Sequence, residues 1–190
     1  AFQQGMSEAR NPGLKKALGE FTNRLMKAKL SDHPGVLTTR YFGGIYFSYA
    51  QAAALDSILE AIHKSPLINR NSLLAISLST ASDIVNTVGR QFAQPIRPRP
   101  SDGTPKRHLI SKCSADRGLD VFGIYEKWFT RYQTLRDTGY RHEIFRADFA
   151  DVLADDRLRK VKAIYADPPY TRDHYSRFYH VLETICLRDN

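Results

Sequence analysis

The sequence predicts an α/β fold, an open and partly parallel sheet interrupted by a mainly helical insertion, on three observations. A short apolar run, Lys162 to Ala166, ends at Asp167-Pro168-Pro169-Tyr170. Prolines lack an N–H and fix φ, so a strand entering there stops and leaves the carboxylate at its carboxyl end, where open α/β sheets bind ligands. Upstream, Tyr140 to Phe145 is rich in β-formers, and a short polar helix is expected from Asp151 to Lys160. Strand, helix and strand make a βαβ unit, which implies parallel strands with a right-handed connection. Between about Pro66 and Gly139 helical periodicity dominates, which reads as the helical insertion.

The 190 residues are 42% hydrophobic and 25% charged, enough for one sizeable core. The formal net charge of +8 favours a polyanionic partner, because a positive field attracts phosphates. Cys113 and Cys186 stand far apart and outside any Cys/His cluster, so neither a zinc site nor a disulfide framework is expected. No apolar run reaches the roughly 18 residues of a membrane span, and no signal-peptide layout opens the chain. A soluble, cytoplasmic protein with reduced thiols is the expectation.

Along the chain, Asn11-Pro12 opens an amphipathic helix to about Lys29, with Leu14, Ala17, Leu18, Phe21 and Leu25 on one face. Ser31 to Pro34 reads as a loop. Val36 to Phe47 is rich in β-formers around the Gly43-Gly44 break. Ser48 and Gln51 form a capping box for a helix over 49 to 63 whose stripe is Ala52, Leu55, Ile58, Leu59 and Ile62. Asn71 or Ser72 is expected to cap a largely buried helix ending near Gly89, in which Asn86 is an unusual polar member.

Gln94 to Lys112 carries four prolines and reads as an irregular loop, with five cations (Arg97, Arg99, Lys106, Arg107, Lys112) against Asp102. Long cationic side chains on a loop suit phosphate contacts. Val121, Phe122, Ile124, Tyr125, Trp128, Phe129, Tyr132 and Leu135 give a further helix, an aromatic stripe that serves either as core or as a stacking surface. A last helix carries Tyr175, Phe178, Tyr179, Leu182, Ile185 and Cys186, capped by Thr171 or Asp173.

The longer run Asp167-Pro-Pro-Tyr-Thr-Arg-Asp-His-Tyr-Ser-Arg-Phe-Tyr-His-Val-Leu-Glu-Thr184 resembles the adenine-N6 DNA methyltransferases that accompany restriction systems. In these enzymes an acid-Pro-Pro-Tyr turn precedes a Phe-Tyr-His and Leu-Glu helix. Weaker likeness runs upstream through Asn86-Thr87-Val88-Gly89 and Ile45-Tyr46-Phe47-Ser48 to Tyr41. The resemblance implies a partial, Rossmann-like methyltransferase sheet, S-adenosylmethionine as cofactor, DNA as partner and a restriction or other defence subunit as companion.

It assigns the catalytic turn to Asp167, Pro168, Pro169 and Tyr170. The Asp167 carboxylate and the Pro168 carbonyl would accept the amino hydrogens of a flipped adenine, and Tyr170 would stack on it. Asp148, Phe149 and Asp167 would meet the cofactor, and Arg97, Arg99, Lys106, Arg107 and Arg172 the nucleic acid. The expected organisation is 1–65 as an N-terminal mixed segment, 66–139 as the insertion serving target recognition, and 140–190 as the catalytic βαβ-helix segment. The Phe-x-Gly-x-Gly cofactor loop of these enzymes has no counterpart, so a piece of a longer protein is expected. Cytosine-N4 or RNA methylation and a non-catalytic nucleic-acid-binding module are the alternatives.

Overall fold

A computed structural model describes residues 34–96, 106–135, 139–167 and 176–188. The expected helix over 12–29 and the caps Thr171 and Asp173 lie outside them. After a 3-10 turn at Pro34–Val36 come α1 (Leu37–Phe42), α2 (Tyr49–Lys64) and α3 (Leu67–Ile84). They are followed by α4 (Arg107–Arg117), α5 (Val121–Gln133), α6 (Phe149–Leu153) and α7 (Ser176–Leu187). Shorter 3-10 turns occupy Val88–Arg90 and Asp156–Lys160.

The α/β expectation is overturned: the described residues contain no strand and no sheet, only isolated bridges joining Gly43 to Phe47 and Thr87 to Pro95. Tyr140 to Phe145 and Lys162 to Ala166 are extended but belong to no ladder. No residue of 139–167 is buried, and Ile144 and Tyr165 are 96% and 90% exposed. β-propensity expresses packing against neighbouring strands, and among the described residues neither stretch has such a neighbour. The β-rich reading of Val36 to Phe47 fails for a related reason. Leu37–Phe42 is helical because the Asp56 carboxylate accepts from the N–H groups of Thr38 (3.0 Å) and Thr39 (2.8 Å), capping its first turn from α2.

The core is helix on helix. In α2 the expected stripe of Ala52, Leu55, Ile58, Leu59 and Ile62 is buried in full. Ser48 and Gln51 form the capping box, with Gln51 N–H to Ser48 Oγ at 3.2 Å and Ser48 N–H to Gln51 Oε1 at 3.0 Å. α1, α3 and α5 pack against α2, and α7 closes over α1 and α3. Phe47, Leu55, Ile84, Val181 and Ile185 are enclosed where these elements meet.

α3 begins at Leu67, four residues before the expected cap, and ends at Ile84, leaving Val88 exposed in the following turn. Its buried hydroxyls return their hydrogens to the helix: Ser77 to Leu73 O (3.0 Å) and Thr80 to Ile76 O (2.8 Å). A helix this rich in Ser and Thr therefore packs in an interior. The irregular-loop reading of Gln94 to Lys112 also needs correction, because α4 starts at Arg107 and takes in His108 and Lys112.

The Gly43-Gly44 break is a tight turn between α1 and α2. A methyl group on Gly43 would lie 2.5 Å from Thr39 O and 2.8 Å from the Tyr49 ring, and Gly44 holds φ +78°. Arg117, at the end of α4, donates to Gly44 O (2.9 Å), and burial lowers its pKa from the usual arginine value. Gln51 Nε2 donates to Asp116 O (2.8 Å) and Leu119 O (3.2 Å). The end of α4 is thereby fastened to the start of α2.

Candidate functional site

Asp167 ends an extended, exposed segment, 161–167. The strand terminus expected for it is replaced by open backbone, so its carboxylate is presented to solvent rather than at a sheet edge. Pro168, Pro169, Tyr170 and Arg172 lie outside the described residues, as do Arg97 and Arg99.

The helix that follows Asp167 in the chain is α7. Phe178, Val181, Leu182 and Ile185, spaced i, i+3, i+4 and i+7, form its packed face, while Tyr179 and Cys186 are exposed. The packed face is thus rotated from the expected one. His180 is half-buried, with its ring 5.7 Å from both Phe42 and Tyr46 in edge-on geometry. Phe42 and Tyr46 are themselves 5.9 Å apart, and Phe92 lies 6.3 Å beyond Tyr46. His180 therefore anchors α7 to the Gly43-Gly44 turn, a bracing role. Burial raises the Tyr46 phenol pKa from its ordinary value. Sequence reasoning had placed Tyr46 in a strand. The signal for its true role was the pairing of aromatics on both sides of the Gly-Gly turn.

Asp148 and Phe149 sit at the start of α6. Asp148 Oδ1 accepts from Ala150 N–H (2.8 Å), which caps the helix and leaves the second carboxylate oxygen for another donor. Phe149, the first residue of α6, is 75% exposed, so it presents a free ring face rather than core packing. The flanking segments are strapped together by Arg157. Its guanidinium pairs with Asp155 (2.6 Å) and Glu143 (3.5 Å) and lies 4.4 Å over the Phe145 ring.

Lys106 and Arg107 are both exposed at the start of α4, where no side chain caps the helix. Two cations at the positive end of a helix dipole are mutually unfavourable until an anion joins them. On α5 the aromatic stripe divides. Val121 is buried, Trp128 donates to Asp83 Oδ2 of α3 (2.8 Å), and Arg131 stacks 4.9 Å over its ring, so this face is core and brace. Phe122 and Phe129 remain exposed. Phe129 and Tyr132 line a cavity of about 470 Å³ between α3 and α5 with Asn69 and Gln133.

Among the described residues no group of three or more His, Cys, Asp or Glu side chains gathers in a way that holds a metal ion, and no helix is long and apolar enough to cross a membrane. Asp167 is exposed, Asp148 keeps one carboxylate oxygen outside its helix cap, and the Phe149 ring is 75% exposed. No protein-family model, no curated protein and no solved structure matches the chain.

Proposed function

We propose that the chain serves the transfer of a methyl group from S-adenosylmethionine to the exocyclic N6 of adenine in DNA, within a restriction or other defence system. The observation that carries this reading is the run from Asp167 to Thr184, in which an acid, two prolines and a tyrosine lead into the helix that holds His180 and Glu183. The anchoring of that helix through His180 supports it, because a reacting turn needs a rigid element behind it. The reading rests on these residues and not on a sheet.

When bound, S-adenosylmethionine supplies an electrophilic methyl group; Asp148 and Phe149 would hold its adenosine part. An adenine amino nitrogen is a poor nucleophile, since its lone pair is delocalised into the ring. The Asp167 carboxylate accepts one amino hydrogen and the Pro168 carbonyl the other, which draws the nitrogen toward a tetrahedral geometry. As the N–CH3 bond formed and the sulfonium's S–CH3 bond broke, leaving its electron pair on sulfur in a neutral thioether, positive charge would grow on that nitrogen beside the Asp167 carboxylate, which would stabilise it and receive the departing proton. Tyr170 offers the flat face on which an extruded base stacks. Asp167→Ala is expected to abolish methyl transfer while DNA affinity, read by a filter-binding titration, changes by no more than a few-fold. Undiminished transfer by the variant removes Asp167 from the chemistry.

The exposed cations Lys106 and Arg107 at the uncapped start of α4 favour a second reading, a nucleic-acid-binding protein without catalysis. That reading expects DNA binding that weakens steeply with salt and no transfer under any condition.

A further inference from the structure

The least satisfied place in the described interior is a pair of neighbours, Asn86 and Thr87, just past the end of α3. Both are 0% exposed. Their backbone is engaged: Asn86 N–H donates to Tyr46 O (2.8 Å), Asn86 O accepts from Ile96 N–H (3.1 Å), and Thr87 bridges to Pro95. Their side chains are not. Asn86 Oδ1, Asn86 Nδ2 and Thr87 Oγ1 have no hydrogen-bond partner. Enclosed polar atoms left unpaired oppose folding, so three on adjacent residues mark a place where something else is bound.

Their surroundings narrow what that is. The backbone bond ties Asn86 to Tyr46, whose ring stands 5.9 Å from Phe42, 6.3 Å from Phe92 and 5.7 Å from His180. His180 belongs to α7, the helix of the Asp167 to Thr184 run. A carboxamide presents a donor and an acceptor side by side, which complements the N6 amino group and N7 of adenine, and the hydroxyl adds a third contact.

We propose that Asn86 and Thr87 form a recognition site for the hydrogen-bonding edge of adenine, an inference that deepens the transfer reading above and rests on it. Adenine belongs both to the target base and to S-adenosylmethionine, and the site reads the chemistry they share. Access requires the hairpin 87–95 to open. That hairpin is closed by the Thr87–Pro95 bridge and the Val88 N–H to Gln94 O bond (3.2 Å), and its turn holds Gly89 and Arg90 at φ 68° and 57°.

The test titrates the full chain, Thr87→Val and the Asn86→Leu/Thr87→Val double variant with adenosine, S-adenosylmethionine, and single-stranded dA and dT oligonucleotides. The unaltered protein is expected to bind adenosine, and the double variant to bind it about tenfold or more weakly. Its melting temperature is expected to rise, because apolar replacements of similar shape remove the unpaired atoms. Thr87→Val, a near-isosteric change, is expected to lose about threefold and decides the matter if the double variant does not fold. Loss toward S-adenosylmethionine alone assigns the site to the cofactor's adenine; loss toward the dA strand alone assigns it to the target base. No adenosine binding by the unaltered protein, or unchanged affinity in the variants, overturns the proposal. So does a lower melting temperature with unchanged affinity, the sign of an ordered water that satisfies the pair. Methylation is not read in these titrations. Adenosine binding that the variants lose, in a protein that transfers no methyl group, keeps this site and removes the transfer reading.

Discussion

Asp56 shows how one side chain decides a local structure that its neighbours in sequence do not. Its two oxygens take the N–H groups of Thr38 and Thr39, across 18 and 17 residues of chain, and without them a β-branched Thr-Thr pair has little reason to be helical. Asp56→Ala is expected to destabilise the protein by about 2 kcal/mol, measured by urea unfolding, since it leaves two amides of α1 unpaired in a buried setting. Asp155 offers a titration. Hydrogen bonds from the Arg157 side chain, and then from its backbone, lower the Asp155 pKa from 3.8 to about 2. A depressed carboxylate pKa favours the folded turn above the ordinary value, and that contribution fades as pH falls through the folded one. Carboxyl carbon shifts followed by NMR should therefore give a midpoint of about 2 for Asp155. In Arg157→Ala the midpoint should return toward the ordinary carboxylate range.

At the scale of elements, legibility followed the source of each element's stability. α2 was readable because its cap and its stripe are both local, Ser48 with Gln51 and Ala52 through Ile62. α4 was hidden: Lys106 provides no cap, prolines crowd the segment before it, and its anchor is Gln51, 65 residues away from Asp116. The beginning of α3 was misplaced because Asn71 and Ser72 have the chemistry of caps, yet the helix runs through them from Leu67. Strand propensity misled at Tyr140 to Phe145 and Lys162 to Ala166, since a strand is defined by its partner and not by its own residues. Of the candidate site, the Asp167 run was legible as a motif, whereas the nest around His180 depends on contacts between residues more than 130 apart in the chain. Gln51→Ala should cost about 1–3 kcal/mol, more than an exposed helix substitution, because it removes the box, leaves the Leu119 carbonyl without its donor and takes one of the donors from the Asp116 carbonyl. Thermal unfolding with a matched Ala substitution on the exposed face of α2 provides the comparison.

For the molecule as a whole, the described residues divide into a helical body and an exposed extended segment. α2, α3 and α5, closed by α1 and α7, supply the packed interior, and α7 joins that interior to the segment ending at Asp167. On the proposed reading the net charge of +8 would add a long-range attraction for DNA, with Lys106 and Arg107 exposed at the start of α4. The central claim is transfer of a methyl group to the amino nitrogen of adenine. Its most direct test is incubation of the protein with DNA and methyl-labelled S-adenosylmethionine, followed by digestion to nucleosides and chromatography. Label in N6-methyladenine is the expected result; label in a cytosine nucleoside, or none in DNA, contradicts transfer to adenine.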